Sequence, residues 1–93
     1  MRTFTIAGYL GTDLELQTKD DTTWTQLRVA TNDGRRTDWF WVTAFGKLAE
    51  IMVEKLGKGD GIAIRGFLRV DTYKDKEQVK LIAREADFFP KAH

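Results

Sequence analysis

The chain has 93 residues, with 15 Lys and Arg against 14 Asp and Glu, so its formal net charge is +1. A charge this close to zero neither requires nor excludes a polyanionic partner, and only the placement of the charges bears on that question. Hydrophobic residues make up 42% of the chain and charged residues 31%, which is typical of a globular domain. We therefore expect a single domain over residues 1–93, with an ordered core at about residues 2–89.

Residue types that commonly carry catalysis are nearly missing. The sequence has no Cys and no Ser, and its only His is the last residue, His93. Ser–His and Cys–His nucleophilic chemistry is therefore excluded, and a Cys or His metal centre is not expected. The glycine-rich stretches match no phosphate-loop pattern, and the acidic residues lack calcium-loop spacing. We predict a protein that is not an enzyme and that has no cofactor or metal.

The sequence shows no membrane span and no export signal. The longest stretch without Lys, Arg, Asp or Glu runs from Thr3 to Thr12, which is far short of the ~20 residues that a membrane helix needs. No signal-peptide pattern opens the chain. The absence of Cys also suits a reducing compartment. We therefore expect no membrane association and a cytoplasmic location.

Alternating apolar and polar residues predict three strands in the first half of the chain. The first strand covers Thr3–Leu10, and Leu14–Gln17 is interpreted as its continuation after a kink. The second strand covers Trp24–Thr31. Asn32-Asp33-Gly34 is a hairpin signal, and the third strand follows over Arg36–Phe45.

The second half is predicted to hold one helix and two strands. Apolar residues at helical spacing indicate a helix over Lys47–Leu56, with Gly57 as its C-terminal cap. The fourth strand covers Ile62–Thr72, with Val70 facing inside, and the fifth covers Val79–Phe89 after a charged hairpin tip. This order predicts an all-β OB-fold, a five-stranded antiparallel Greek-key barrel with one α-helix between strands three and four. Such barrels bind oligonucleotides or oligosaccharides.

Aromatic residues concentrate on one face of the third strand. Trp39, Trp41 and Phe45 share that face, and Tyr73 lies at the tip of a later hairpin. A flat side chain held outward by a strand can stack on a nucleobase, which is worth about 1–3 kcal/mol per base. The alternative is burial in the core or in a dimer interface, because aromatic side chains bury well. The spacing alone leaves both interpretations open.

Cationic residues are interleaved with these rings on the predicted outward faces, as in a single-strand groove. Residues 65–80 hold five cations against three anions, whereas residues 13–21 hold one cation against four anions. This distribution predicts one positive face and one negative region, and an ordinary solvated surface is the alternative. The cations predicted to contact phosphates, not all at once, are Arg28, Arg35, Arg36, Lys47, Arg65, Arg69, Lys74 and Lys76.

The segment from Thr37 to Glu50, TDWFWVTAFGKLAE, closely resembles the central block of bacterial single-stranded DNA-binding proteins. Residues 8–13 resemble the end of the family's first strand, residues 27–31 its second strand and residues 58–69 its fourth. The resemblance covers residues 2–88, nearly the whole chain. It implies an OB-fold that binds single-stranded DNA without sequence preference and assembles as a homotetramer, or as a dimer in some relatives.

The resemblance also implies roles for individual residues. Trp39 and Phe45 match stacking positions of the family, and Tyr73 falls where the family often has an aromatic residue on a hairpin. Lys47 matches the family lysine that follows a glycine. Trp41 stands where relatives often carry a basic residue, so this ring is particular to the present chain.

The family usually carries a long C-terminal tail that ends in acidic residues and recruits replication and repair enzymes. The sequence ends at His93 without such a tail, so it is interpreted as a short form, with replication proteins kept as candidate partners. A short form suits a nucleoid-associated protein or one encoded by a phage, plasmid or mobile element. The expected function is protection of single-stranded DNA in replication, recombination or repair.

Two alternatives stay open at this stage. One is a primosomal type of replication accessory protein, an OB-fold dimer without the tail that links single-stranded DNA to protein partners. The other is an RNA-binding OB domain of the cold-shock type. Tryptophan quenching by oligo-dT separates the expected function from the first alternative, and competition between dT and rU oligomers separates it from the second.

Overall fold

A computed structural model describes residues 1–91, so His93 lies outside the described residues. In that part of the chain, six strands form one sheet that closes into a barrel, with one helix between the fourth and fifth strands. This confirms the predicted all-β OB-fold. The elements are β1 Thr3–Leu10, β2 Gln17–Lys19, β3 Thr22–Asn32, β4 Thr37–Phe45, α1 Gly46–Lys55, β5 Gly61–Tyr73 and β6 Lys76–Phe89.

The prediction of five antiparallel strands is wrong in two details. Strand β2 is an additional three-residue strand that pairs with the start of β3, where the sequence predicted a continuation of β1. Strands β4 and β6 pair in parallel, through Val42 with Leu81 and Thr43 with Ile82. Alternation within one strand reveals neither feature, because partner and direction depend on the path of the whole chain.

The sheet closes because β1 pairs along both of its edges. Residues 3–9 pair with β5, and the C-terminal end of β1 pairs with Val29 and Ala30 of β3. Gly8 lies at this crossing, where a Cβ atom would strike the carbonyl group of Ala30. A glycine is therefore required for the two backbones to approach each other.

The barrel interior is filled by one face of each long strand and by α1. Successive side chains of a strand point to opposite sides, so the residues between the buried ones face outward. Helix α1 contributes two buried side chains and packs against β3 and β4. The largest contributors to this core include Leu27, Val29, Val42, Met52, Ile62 and Ile64, each at most 1% exposed.

Helix α1 begins and ends one residue earlier than predicted. Gly46 has a φ of +62°, which lets the chain turn sharply from β4 into the helix. Gly57 follows the C-cap residue Leu56, the position predicted for it, but Leu56 already leaves the helix with an extended backbone and Gly57 has no positive φ. The ten-residue α1 is too short to cross a bilayer, and the described residues contain no longer helix.

A two-residue turn joins β5 to β6. Lys74 and Asp75 both have positive φ angles, of 51° and 62°, as in a type I′ turn. This turn pairs Tyr73 with Lys76 and fixes the register of the rest of the hairpin. Towards its tip the hairpin loses contact with the core, so the prediction that Val70 faces inside is wrong: this side chain is 37% exposed.

The predicted hairpin at Asn32-Asp33-Gly34 joins β3 to β4. Its backbone is held by two side chains: the N–H of Gly34 donates to Asn32 Oδ1 at 2.6 Å, and the N–H of Arg36 donates to Asp33 Oδ1 at 3.1 Å. Short Asn and Asp side chains commonly stabilise turns in this way. The hairpin therefore fixes β4 beside β3, and with it the outward face of β4.

Candidate nucleic-acid interface

The outer face of β4 carries three exposed aromatic side chains. Trp39 is 46% exposed, Trp41 is 53% exposed and Phe45 is 38% exposed. The residues between them, Val42 and Ala44, are fully buried on the opposite face of the strand. Of the interpretations that the sequence left open, burial of these three rings in the chain's own core is therefore excluded.

Arg28 lies against both tryptophans. It comes from β3, where it is paired with Trp41 of β4. Its guanidinium carbon is 4.8 Å from the ring centre of Trp39 and 5.2 Å from that of Trp41, within the distance of cation–π contacts. Within residues 1–91 this guanidinium has no carboxylate partner. Its charge is therefore available to an anionic ligand.

Trp39 also rests on the backbone just after β1. A Cβ atom at Gly11 would lie 2.8 Å from Cη2 of Trp39, so no side chain fits between them. The N–H of Gly11 donates to the carbonyl oxygen of Arg28 at 2.9 Å, which holds this backbone next to β3. Gly11 thus lets the indole pack directly on the barrel.

Three shallow depressions follow one another across β3, β4 and β6. The first and second share Gln26 and Trp41, and the second and third share Gln26, Thr43 and Lys80, so they form one continuous surface. Arg28 lies against Trp41, and Trp39 lies against Arg28, so both residues continue this surface. We name it the aromatic groove and define it by Trp24, Gln26, Arg28, Trp39, Trp41, Thr43, Phe45, Arg69, Lys80 and Ile82.

The two ends of the aromatic groove differ in charge. Asp13 and Glu15 border the depression beside Trp41, whereas Arg69 and Lys80 border the depression that contains Phe45. The negative region predicted at residues 13–21 thus begins at the edge of the groove. Because Coulomb interactions fall off with distance, Asp13 and Glu15 disfavour a polyanion at their edge of the groove, and Arg69 and Lys80 attract one at the Phe45 end.

Arg65 is not part of the aromatic groove. It lines a separate depression between β1, β5 and β6 that has no residue in common with the groove. Its guanidinium donates to Glu85 at 2.8 Å and to Asp87 at 3.3 Å. These hydrogen bonds, first that with Glu85 and then that with Asp87, raise the pKa of Arg65 above its usual value. The charge of Arg65 is thus already matched by two carboxylates.

The tip of the β5–β6 hairpin carries the fourth predicted stacking residue and two predicted cations. Tyr73 is 64% exposed, and Lys74 Nζ lies 5.4 Å from the centre of its ring. Lys76 is exposed on the other side of the turn. None of the three lines the aromatic groove, so the hairpin tip is a separate patch.

The remaining predicted cations lie at the β3–β4 hairpin and at the start of α1. Arg35 and Arg36 are both exposed, and Arg36 forms an ion pair with Asp38 at 2.8 Å. Lys47 is exposed in the first turn of α1, two residues after Phe45. These residues lie outside the depressions that define the groove.

Sequence reasoning missed five of the lining residues: Trp24, Gln26, Thr43, Lys80 and Ile82. Gln26 and Thr43 are paired across β3 and β4, and Lys80 is paired with Arg69 across β5 and β6. Counting outward from the two-residue turn would have found Lys80. The sequence instead predicted a longer hairpin tip, which left the register of the two strands open.

Comparison with known proteins identifies the family. Residues 1–88 match the Single-strand binding protein family. The chain belongs to this family. It is similar to Single-stranded DNA-binding protein 1 of Xylella fastidiosa, with 36% identity over 91 residues that cover 86% of this chain and 67% of that protein. The resemblance seen in the sequence is therefore confirmed.

Two further relatives of the single-strand binding family are longer. The Single-stranded DNA-binding protein of Xanthomonas campestris is 43% identical over 49 residues, which are 53% of this chain and 28% of that protein. The crystal structure of a deletion mutant of the single-stranded DNA binding protein from Thermus aquaticus superposes with a TM-score of 0.83 at 28% identity, covering 100% of this chain and 43% of that one. The chain thus matches less than half the length of these two proteins.

Proposed function

We propose that this family member binds single-stranded DNA without sequence preference. The observation that carries the proposal is the row of exposed rings on β4, Trp39, Trp41 and Phe45, with Arg28 against the first two. Every base has a flat π face, so rings beside cations hold a single strand whatever its sequence. The names of the relatives, single-stranded DNA-binding proteins, support the same function.

The proposed interface assigns each residue one of two roles. Trp39, Trp41 and Phe45 stack bases within the aromatic groove, and Tyr73 stacks a base at the hairpin tip. Arg65 is left out of the interface, because it lies in a separate depression and is paired with two carboxylates. The proposed phosphate contacts are Arg28, Arg69 and Lys80 in the groove, and Arg35, Arg36, Lys47, Lys74 and Lys76 around it.

The proposed cellular role is protection of single-stranded DNA in replication, recombination or repair, without catalysis. The relatives named above are bacterial proteins. The proposed location is accordingly the bacterial cytoplasm, on the nucleoid or on the DNA of a phage, plasmid or other mobile element. Replication proteins are the candidate protein partners.

Titration with oligo-dT, followed by tryptophan fluorescence, tests this function. All three tryptophans belong to the aromatic groove, so we expect strong quenching at low salt. The logarithm of the binding constant should fall linearly with the logarithm of the salt concentration, by about 0.7 for each phosphate neutralised. Absence of quenching in a folded sample would contradict the proposal, and stronger competition by rU than by dT would redirect it to RNA.

We also propose that the chain forms a homo-oligomer, a tetramer with a dimer as the alternative. Tyr9 and Phe89 are 65% and 59% exposed and line a depression with Ala7 and Ile62, which leaves apolar surface open beside β1. Light scattering with and without dT oligomers gives both the mass and the stoichiometry. We expect a mass of four chains or of two, and the mass of one chain at every concentration would disprove assembly.

A further inference from the structure

We propose that Asp71 is a built-in competitor for phosphate. In the free protein it binds the two cations at the Phe45 end of the aromatic groove, Arg69 and Lys80, and a DNA phosphate has to take its place. Asp71 thereby lowers the affinity for single-stranded DNA and limits the number of phosphates that the groove neutralises. This inference rests on the proposed function and names a residue that tunes it.

The geometry shows one carboxylate bridging two cations. Arg69 Nε lies 3.1 Å from Asp71 Oδ1, and Arg69 Nη2 lies 3.2 Å from Asp71 Oδ2. Lys80 Nζ lies 3.4 Å from the same Oδ2 atom. Arg69 and Lys80 are register partners across β5 and β6, and Asp71 follows Arg69 on the same face of β5. The three charges therefore form one cluster.

The two cations of this cluster are part of the groove wall. Arg69 and Lys80 line the same depression as Trp24 and Phe45. Carboxylate and phosphate oxygens accept hydrogen bonds from the same guanidinium and ammonium donors. The position of Asp71 shows that the two cations can share a single oxyanion. The phosphate next to a base stacked on Phe45 meets these donors, and it competes for them with Asp71.

Asp71 is ionised at neutral pH. Partial burial raises the pKa of Asp71, but the hydrogen bond and charge of Arg69, and then those of Lys80, outweigh this effect and hold the pKa below its usual value. The carboxylate is therefore present whenever DNA arrives near neutral pH. Arg28, at the other end of the groove, has no such carboxylate within residues 1–91. Only the Phe45 end thus requires the exchange of one anion for another.

The Asp71→Asn variant tests the inference, because it removes the charge and keeps the size. We expect the affinity for oligo-dT to rise by about 3- to 10-fold at about 0.1 M salt, since two exposed ion pairs no longer compete. The slope of the logarithm of affinity against the logarithm of salt should become more negative by about 0.7 to 1.4, for one or two further phosphates. Asp71→Ser is a second variant with the same expectation.

Asp87→Asn is the matched control. It makes the same change in net charge, but Asp87 is paired with Arg65, outside the aromatic groove. We expect its affinity and salt slope to stay at the wild-type values. An equal gain in affinity from both variants would show that the effect depends only on net charge. An unchanged or weaker affinity of Asp71→Asn would show that Asp71 does not compete with phosphate. Either result overturns the inference.

The inference and the proposed function fail in distinguishable ways. If wild-type protein quenches with oligo-dT and Asp71→Asn brings no gain, DNA binding stands and the role of Asp71 is rejected. If wild-type protein and both variants fail to bind, the proposed function is rejected and the inference falls with it. Far-UV circular dichroism and thermal melting of each variant confirm that folded proteins are compared.

Discussion

Replacement of Trp39 by Ala is expected to weaken binding of oligo-dT by about 1–3 kcal/mol, which is roughly 5- to 150-fold at 25 °C. The indole is half exposed, packs on Gly11 and lies against the guanidinium of Arg28. Its removal deletes a stacking surface and one of the two rings that position the Arg28 charge. Fluorescence anisotropy of a labelled dT oligomer measures the loss without depending on the remaining tryptophans.

Tyr9→Ala is the control for this experiment. Tyr9 is also an exposed aromatic residue, at 65%, but it lines a depression outside the aromatic groove. Its removal should leave the intrinsic affinity for a short dT oligomer unchanged. A folded Trp39→Ala protein with wild-type affinity would show that Trp39 is structural. An equal loss in a Tyr9→Ala protein whose mass by light scattering is unchanged would move the interface away from β4.

Leu27→Ala is expected to lower the free energy of unfolding by about 2–5 kcal/mol, the usual cost of deleting a leucine side chain from a packed core. Leu27 is fully buried, and it lies between Gln26 and Arg28, whose side chains face the aromatic groove. The substitution therefore removes core packing and leaves the groove side chains in place. Urea denaturation with linear extrapolation measures the change.

Leu16→Ala is the matched substitution at the surface. Leu16 precedes β2 and is 43% exposed, so its truncation should change the free energy of unfolding by no more than about 0.5 kcal/mol. Similar losses in the two variants would contradict the assignment of Leu27 to the core. A stable Leu27→Ala protein would contradict it as well.

Local periodicity predicted the face of β4 correctly. The sequence predicted a strand over residues 36–45 with Trp39, Trp41 and Phe45 on one side, and the structure has Thr37–Phe45 with these rings outside. This works because alternation along a strand is a property of the backbone and needs no knowledge of its neighbours. The prediction also depends on an opposite face that is apolar and buried, and Val42 is part of that face.

Local periodicity does not tell which side chains of different strands lie next to each other. Arg65 and Arg69 have the same parity on β5, yet Arg65 is paired with Glu85 and Asp87, and Arg69 lies beside Phe45. The difference arises because Arg65 lies where β5 pairs with β1, whereas Arg69 lies opposite Lys80, next to the point where β6 pairs with β4. The contact of Gly11 with Trp39 and that of Asp71 with Lys80 also join separate segments of the chain, so local periodicity did not predict them.

The parallel junction between β4 and β6 consists of two residue pairs, against nine between β3 and β4. The aromatic groove runs over this seam, because Phe45 lines it from one side and Lys80 and Ile82 from the other. If DNA binds along the aromatic groove as proposed, it contacts both strands of one of the shortest junctions in the barrel. Binding of DNA there would then raise the stability of the closed barrel, since a ligand that binds only the closed form stabilises that form.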